Sequence, residues 1–85
     1  MSDTDPNLRA LARLARTIHE LREQRGMTQG ELAAAVGVDE ARISALEAGR
    51  LDPDYALLVA LAQALGVRLL ELVSRIEELA REEGE

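Results

Sequence analysis

Residues 28–49 read TQGELAAAVGVDEARISALEAG, a stretch that spells two helices joined by a tight glycine turn. Thr28 offers its hydroxyl to the backbone N–H at Glu31 while the Glu31 carboxylate reaches back to the Thr28 amide, so Thr28-Gln29-Gly30-Glu31 is a capping box that starts a helix. Leu32, Ala33 and Val36 fall on its inner face. Gly37 accepts the positive φ that the turn demands. Asp39 then caps a second helix with Ile43 and Leu46 inward, and Gly49 closes it.

The flanking sequence is helical as well. Asp5 and Pro6 open a first helix that ends at Gly26, with Leu8, Leu11, Leu14, Ala15, Ile18 and Leu21 on one stripe and Arg9, Arg13 and Arg16 on the opposite, outward face. After the loop Leu51-Asp52-Pro53-Asp54, the residues Tyr55, Leu58, Val59, Leu61, Ala62 and Leu65 recur at helical intervals up to Gly66, which predicts a mostly buried helix. The last segment, from about 68 to 82, carries Leu69, Leu72, Val73, Ile76, Leu79 and Ala80 on one stripe. No stretch alternates in the strand pattern. The expected architecture is all-α: one compact domain of five helices over residues 6–82, with a disordered tail at 1–5, a helix-turn-helix unit at about 28–48 and a frayed tail at 83–85.

Composition narrows the function. The chain has 85 residues, 47% of them hydrophobic and 31% charged, enough apolar content for a core but only for a single small domain. Without cysteine there is neither a disulfide framework nor a thiolate metal site. No apolar run approaches the ~18 residues of a membrane span, and the polar, acidic start lacks the basic beginning of a secretion signal, so a cytoplasmic protein with no membrane partner is expected. His19 and Glu23 are an i, i+4 pair, but two ligands do not make a metal site. Ser2, Ser44 and Ser74 lie at a terminus or on helices without a histidine and acid arrangement beside them, so neither catalysis nor a cofactor is expected. Met27 and Tyr55 read as packing residues.

Ala33, Gly37 and Ile43 stand four and six residues apart: a small residue where two helices cross, a glycine in the turn, and a branched residue under the second helix. Together with Leu21-Arg22-Glu23-Gln24-Arg25-Gly26-Met27-Thr28-Gln29, Leu46-Glu47, Gly49-Arg50, Pro53 and Ala64-Leu65-Gly66-Val67, this series resembles the Xre family of phage-repressor-like helix-turn-helix proteins over roughly residues 17–72. The resemblance implies a lambda-repressor-like domain, here with extended first and last helices, whose third helix enters the major groove of double-stranded DNA. It implies base-facing positions at Glu40, Ala41, Ser44 and Ala45, and phosphate contacts from Gln29 and Arg50, with Arg42 adjacent. It also implies an ion pair between Arg22 and Glu47 that braces helix one against helix three. The residues themselves favour that pair, because Arg22 sits within the apolar arc of its helix, where an unpaired guanidinium is costly.

The chain departs from the family in charge. Its formal charge is −6, and residues 28–50 carry Glu31, Asp39, Glu40 and Glu47 against Arg42 and Arg50, which repels a phosphate backbone. Glu40 can accept from cytosine N4, the alanine methyls can meet thymine methyls, and Ser44 can pair with any base. Val73, Ile76 and Leu79 extend the last apolar stripe beyond the family's usual end, and Leu8 and Leu11 do the same for the first helix. These extensions either pack on each other within one chain or pair across a two-fold axis, which makes Val73, Ile76 and Leu79 candidates for a homodimer interface. The leading expectation is a sequence-specific, repressor-like transcriptional regulator that binds an inverted repeat as a homodimer. The alternative is an acidic helical interaction module, antitoxin-like or a regulatory partner, that binds another protein and little or no DNA.

Overall fold

The computed structural model describes residues 5–84. They form α1 (Pro6–Gln24), α2 (Gln29–Val36), α3 (Glu40–Glu47), α4 (Tyr55–Leu65) and α5 (Leu69–Glu82), with no strand among the described residues. Of the expected tail at 1–5 only Asp5 lies within the described residues, and it is the N-cap of α1, accepting from the Asn7 amide at 2.9 Å. No single helix is long and apolar enough to cross a membrane.

The core gathers one face from every helix. Ile18, Leu32, Ile43, Leu46, Leu61, Leu65 and Leu72 are all but inaccessible to water, and Leu14, Leu21, Ala33, Leu57 and Ala62 join them in one cluster. Each large side chain so buried contributes roughly 1.5–3 kcal/mol, and this outweighs the weak intrinsic stability of eight-residue helices such as α2 and α3. Thr17, also buried, returns its hydroxyl to the Arg13 carbonyl at 2.9 Å, so its polar atom is satisfied inside its own helix.

Helix α4 departs from expectation. Its sequence, YALLVALAQAL, is apolar nearly all round, so spacing alone does not select the inner face. Leu57 is buried there, whereas Leu58 and Val59 are half-buried and Tyr55 is 72% exposed rather than packed.

The chain bends by 98° between α4 and α5, and α5 returns along α1. The two run antiparallel: Arg13 meets Glu83, while Arg16, Thr17 and Glu20 share a cleft with Arg75, Glu78, Leu79 and Glu82. The second half of α5 thus packs against the middle of α1, while Leu8 and Val73, on the two helix extensions, stay 44% and 38% exposed. Leu79 is buried in this contact, 8% exposed, and Ile76 is half-buried against the core. Arg13, expected to face outward, keeps only 11% of its side chain exposed, because the end of α5 covers it and Glu83 accepts from its Nη1 at 3.0 Å. Glu83 itself, within the tail expected at 83–85, is the C-cap of α5.

Candidate nucleic-acid interface

The corner between α2 and α3 is built from local hydrogen bonds that the sequence announces. Thr28 Oγ1 accepts from the Glu31 amide at 3.0 Å, and Glu31 Oε1 accepts from the Thr28 amide at 2.8 Å. Gly37, at φ +90°, ends α2 with its own N–H and that of Val38 both bonded to the Ala33 carbonyl, at 2.8 and 3.0 Å. Two residues later the Asp39 carboxylate accepts from the Arg42 amide at 2.9 Å and starts α3. With Ile43 and Leu46 locked in the core, α3 has one orientation, and its outer face presents Glu40, Ala41, Arg42 and Ser44 to solvent with Ala45 half-buried.

Glu47, at the end of α3, is the hub that fixes this corner to α1. Arg22 Nε donates to its Oε2 at 2.7 Å and Arg22 Nη2 to its Oε1 at 3.0 Å, a two-bond fork that leaves only 9% and 4% of the two side chains exposed. Arg22 Nη1 reaches the Met27 carbonyl at 2.7 Å, tying in the α1–α2 turn as well. Gln29 Nε2 donates to Glu47 Oε1 at 3.0 Å, so the first side chain of α2 is held by the last of α3. His19 Nδ1 stands 3.1 Å from both Glu47 Oε1 and Arg22 Nη2, nearer than its Nε2 stands to Glu23 at 3.7 Å. Burial pushes the Glu47 carboxyl up, but the hydrogen bonds from Arg22, Gln29 and His19 outweigh it and hold the group below its ordinary value. The same hydrogen bond to Glu47 raises the Arg22 guanidinium.

This pairing redraws the charge balance of the outer face. Glu47 is turned inward and matched by Arg22, so the acids left near α3's solvent face are Glu31, Asp39 and Glu40, and two of these carboxylates are engaged in caps. Arg50, exposed and anchored by its amide to the Ala45 carbonyl at 2.9 Å, lies just beyond α3. Gln29, at the start of α2, is half-buried, and its amide is engaged with Glu47. On the far helix Val73 is 38% exposed, and Leu70, which the apolar stripe does not single out, is 77% exposed. Among the described residues no cluster of three metal-ligating side chains occurs.

The sequence spacing misses the hold of Glu47 on Gln29 and His19. Eighteen and twenty-eight residues separate these pairs, and only the crossing of three helices brings them together.

Comparison with known proteins follows the same geometry. A helix-turn-helix family model (HTH_3) matches residues 18–72. An uncharacterized HTH-type transcriptional regulator, y4dJ, of Sinorhizobium fredii is 45% identical over 58 residues, 68% of this chain and 75% of the relative. One from Methanothermobacter thermautotrophicus is 43% identical over 61 residues, covering 72% and 88%. Among solved structures, the clp gene regulator ClgR of Corynebacterium glutamicum superposes with a TM-score of 0.77 at 26% identity, over 87% of this chain and 84% of that one. The restriction-modification controller protein C.AhdI of Aeromonas hydrophila does so with a TM-score of 0.71 at 29% identity, over 73% and 94%. A capped, glycine-turned pair of helices braced by Arg22 and Glu47, within a match that spans the core of the chain, makes this protein a member of the Xre-like helix-turn-helix family.

Proposed function

We propose that the protein is a sequence-specific DNA-binding transcriptional regulator, repressor-like in action, which binds an inverted repeat as a homodimer with α3 in the major groove. The observation that carries this reading is the outer face of α3, where Glu40, Ala41 and Ser44 stand exposed on a helix whose other side is locked into the core, with Ala45 at its edge. Gln29, Arg42 and Arg50 flank that face as phosphate contacts. Two such faces must lie about one helical turn of DNA apart, roughly 34 Å, for both half-sites to be read at once. The exposed Leu70 and Val73 of α5, with Ile76 beside them, are the apolar surface through which two copies pair. Its place of action is the cytoplasm, with the DNA.

The test is retardation of duplex DNA across a salt series. Each phosphate contact adds about −0.9 to the slope of log affinity against log salt, so Arg50→Ala should flatten the slope by about one. No retardation at low or moderate salt defeats the reading. That outcome favours an acidic interaction module that docks on another protein, a role that the −6 charge and the 72% and 77% exposure of Tyr55 and Leu70 fit.

A further inference from the structure

Three nitrogens converge on one oxygen of Glu47. Arg22 Nη2 and Gln29 Nε2 each stand 3.0 Å from Oε1 and His19 Nδ1 stands 3.1 Å from it, while Oε2 accepts from Arg22 Nε. A carboxylate oxygen has lone pairs for two donors, so the third place is contested. His19 Nδ1 also lies 3.1 Å from Arg22 Nη2, and a ring nitrogen either accepts or donates. A neutral ring can leave Nδ1 bare to accept from Arg22, and Oε1 then belongs to Arg22 and Gln29. A protonated ring carries a hydrogen on both nitrogens, so Nδ1 must donate to Oε1 and becomes the rival of Gln29.

His19 is placed to undergo this change. Its side chain is 47% exposed at the rim of a hollow between α1 and the end of α3, and it is the chain's single histidine, the side-chain type that gains its charge near neutral pH. The charged groups around the ring are Arg16, Arg22 and Glu23 of α1 and Glu47 of α3, while α2 adds the neutral amide of Gln29. Arg16 is paired with Glu20, and Glu23 Oε2 stands 3.7 Å from Nε2, ready for the second ring hydrogen. Glu47, held below its ordinary value, keeps its charge throughout the range in which histidine titrates.

We infer that His19 is a positioning residue operated by a proton: charged, it takes Glu47 Oε1 and frees the Gln29 side chain for the DNA backbone, so that acid tightens DNA binding. A charge-assisted bond from imidazolium is stronger than one from a neutral amide, which decides the contest for Oε1. Arg22 keeps its bonds to Oε2 and to the Met27 carbonyl, both 2.7 Å, so the brace between α1 and α3 holds while Gln29 lets go.

This inference rests on the DNA-binding function proposed above, and two readouts keep the two apart. The first needs no DNA: the side-chain amide signals of Gln29 and the ring signals of His19, followed by NMR on the intact protein from about pH 8 to pH 5.5. The Gln29 signals should shift in step with the ring. The second is retardation, over the same range, of a duplex that the intact protein selects from a random pool at neutral pH. Affinity should rise roughly three- to ten-fold on acidification, the effect of one hydrogen bond gained. The gain should vanish in His19→Gln and in Gln29→Ala, each checked for an unchanged helical circular dichroism signal. Gln29 signals that stay in place while the ring titrates overturn the inference. So does a gain retained in Gln29→Ala, which would assign it to the added positive charge alone. Gln29 signals that shift while no duplex is bound at any pH overturn the DNA-binding function and leave the proton's hold on Gln29 standing.

Discussion

Arg22 and Glu47 face each other through two hydrogen bonds, of 2.7 and 3.0 Å, in a setting where almost no water reaches either side chain. Removing one partner strands a buried charge and withdraws a bond from Met27 or Gln29 as well. Arg22→Ala or Glu47→Ala should therefore cost about 3–5 kcal/mol, read by urea denaturation. Replacing both with apolar residues, Arg22→Met with Glu47→Leu, should cost clearly less than the two single changes added together, because no charge is left behind.

The same carboxylate makes stability depend on acid. The Glu47 carboxyl is held below its ordinary value of 4.5 in the folded protein, so the unfolded chain binds its proton first as pH falls. The stabilisation is complete above that value and is lost as pH drops through the lower, folded one. Denaturation midpoints measured from pH 7 down to pH 3 should fall steeply at the acid end. The Arg22→Met, Glu47→Leu protein should show a shallower fall, and an equal slope in both would assign the acid sensitivity to other carboxylates.

Leu70 and Leu79 sit on the same helix but in opposite circumstances, 77% and 8% exposed. Leu79→Asp places a charge in the α1–α5 contact and should lower stability by about 3 kcal/mol or more. Leu70→Asp should leave the stability of a single chain within about 0.5 kcal/mol and, if two copies pair through this face, dissociate the dimer in sedimentation experiments.

Gly37 holds φ +90° at the end of α2 with nothing within 4 Å of the place a Cβ would occupy, so space is no obstacle to a side chain and backbone strain is the whole effect. Gly37→Ala should destabilise by about 1–2 kcal/mol in thermal denaturation, and Gly37→Asn by less, since asparagine tolerates the left-handed region better.

How far the sequence could be read depended on the range of the interactions. The capping box at Thr28 and Glu31, the turn at Gly37 and the cap at Asp39 involve residues no more than five apart, and all three are spelled out in order. Helix α4 was less legible because Leu57, Leu58 and Val59 are equally apolar, so only the neighbouring helices decide that Leu57 turns inward. Arg13 offers the sharpest case. Nothing near it in the chain reveals that Glu83, seventy residues away, will cover it, and its spacing with Arg9 and Arg16 suggested a solvated stripe. At the candidate interface the residues proposed to read DNA follow from the motif. The support beneath them, Gln29 and His19 on Glu47, needs three helices in place before it exists.

The antiparallel pairing of α1 with α5 also carries a consequence for the order of events in folding. The α2–α3 corner closes over a handful of residues, whereas Arg13 and Glu83 meet only after a loop of seventy has closed, with the larger entropic penalty that length brings. The corner is therefore expected in the folding nucleus and the long-range pairing is expected to zip up after the barrier is crossed. Changes at Arg13 or Leu79 should then speed unfolding while leaving the folding rate nearly untouched in stopped-flow traces. In that sense the α1–α5 pairing acts as a latch that governs how long the folded domain persists, while its formation is left to the corner it secures.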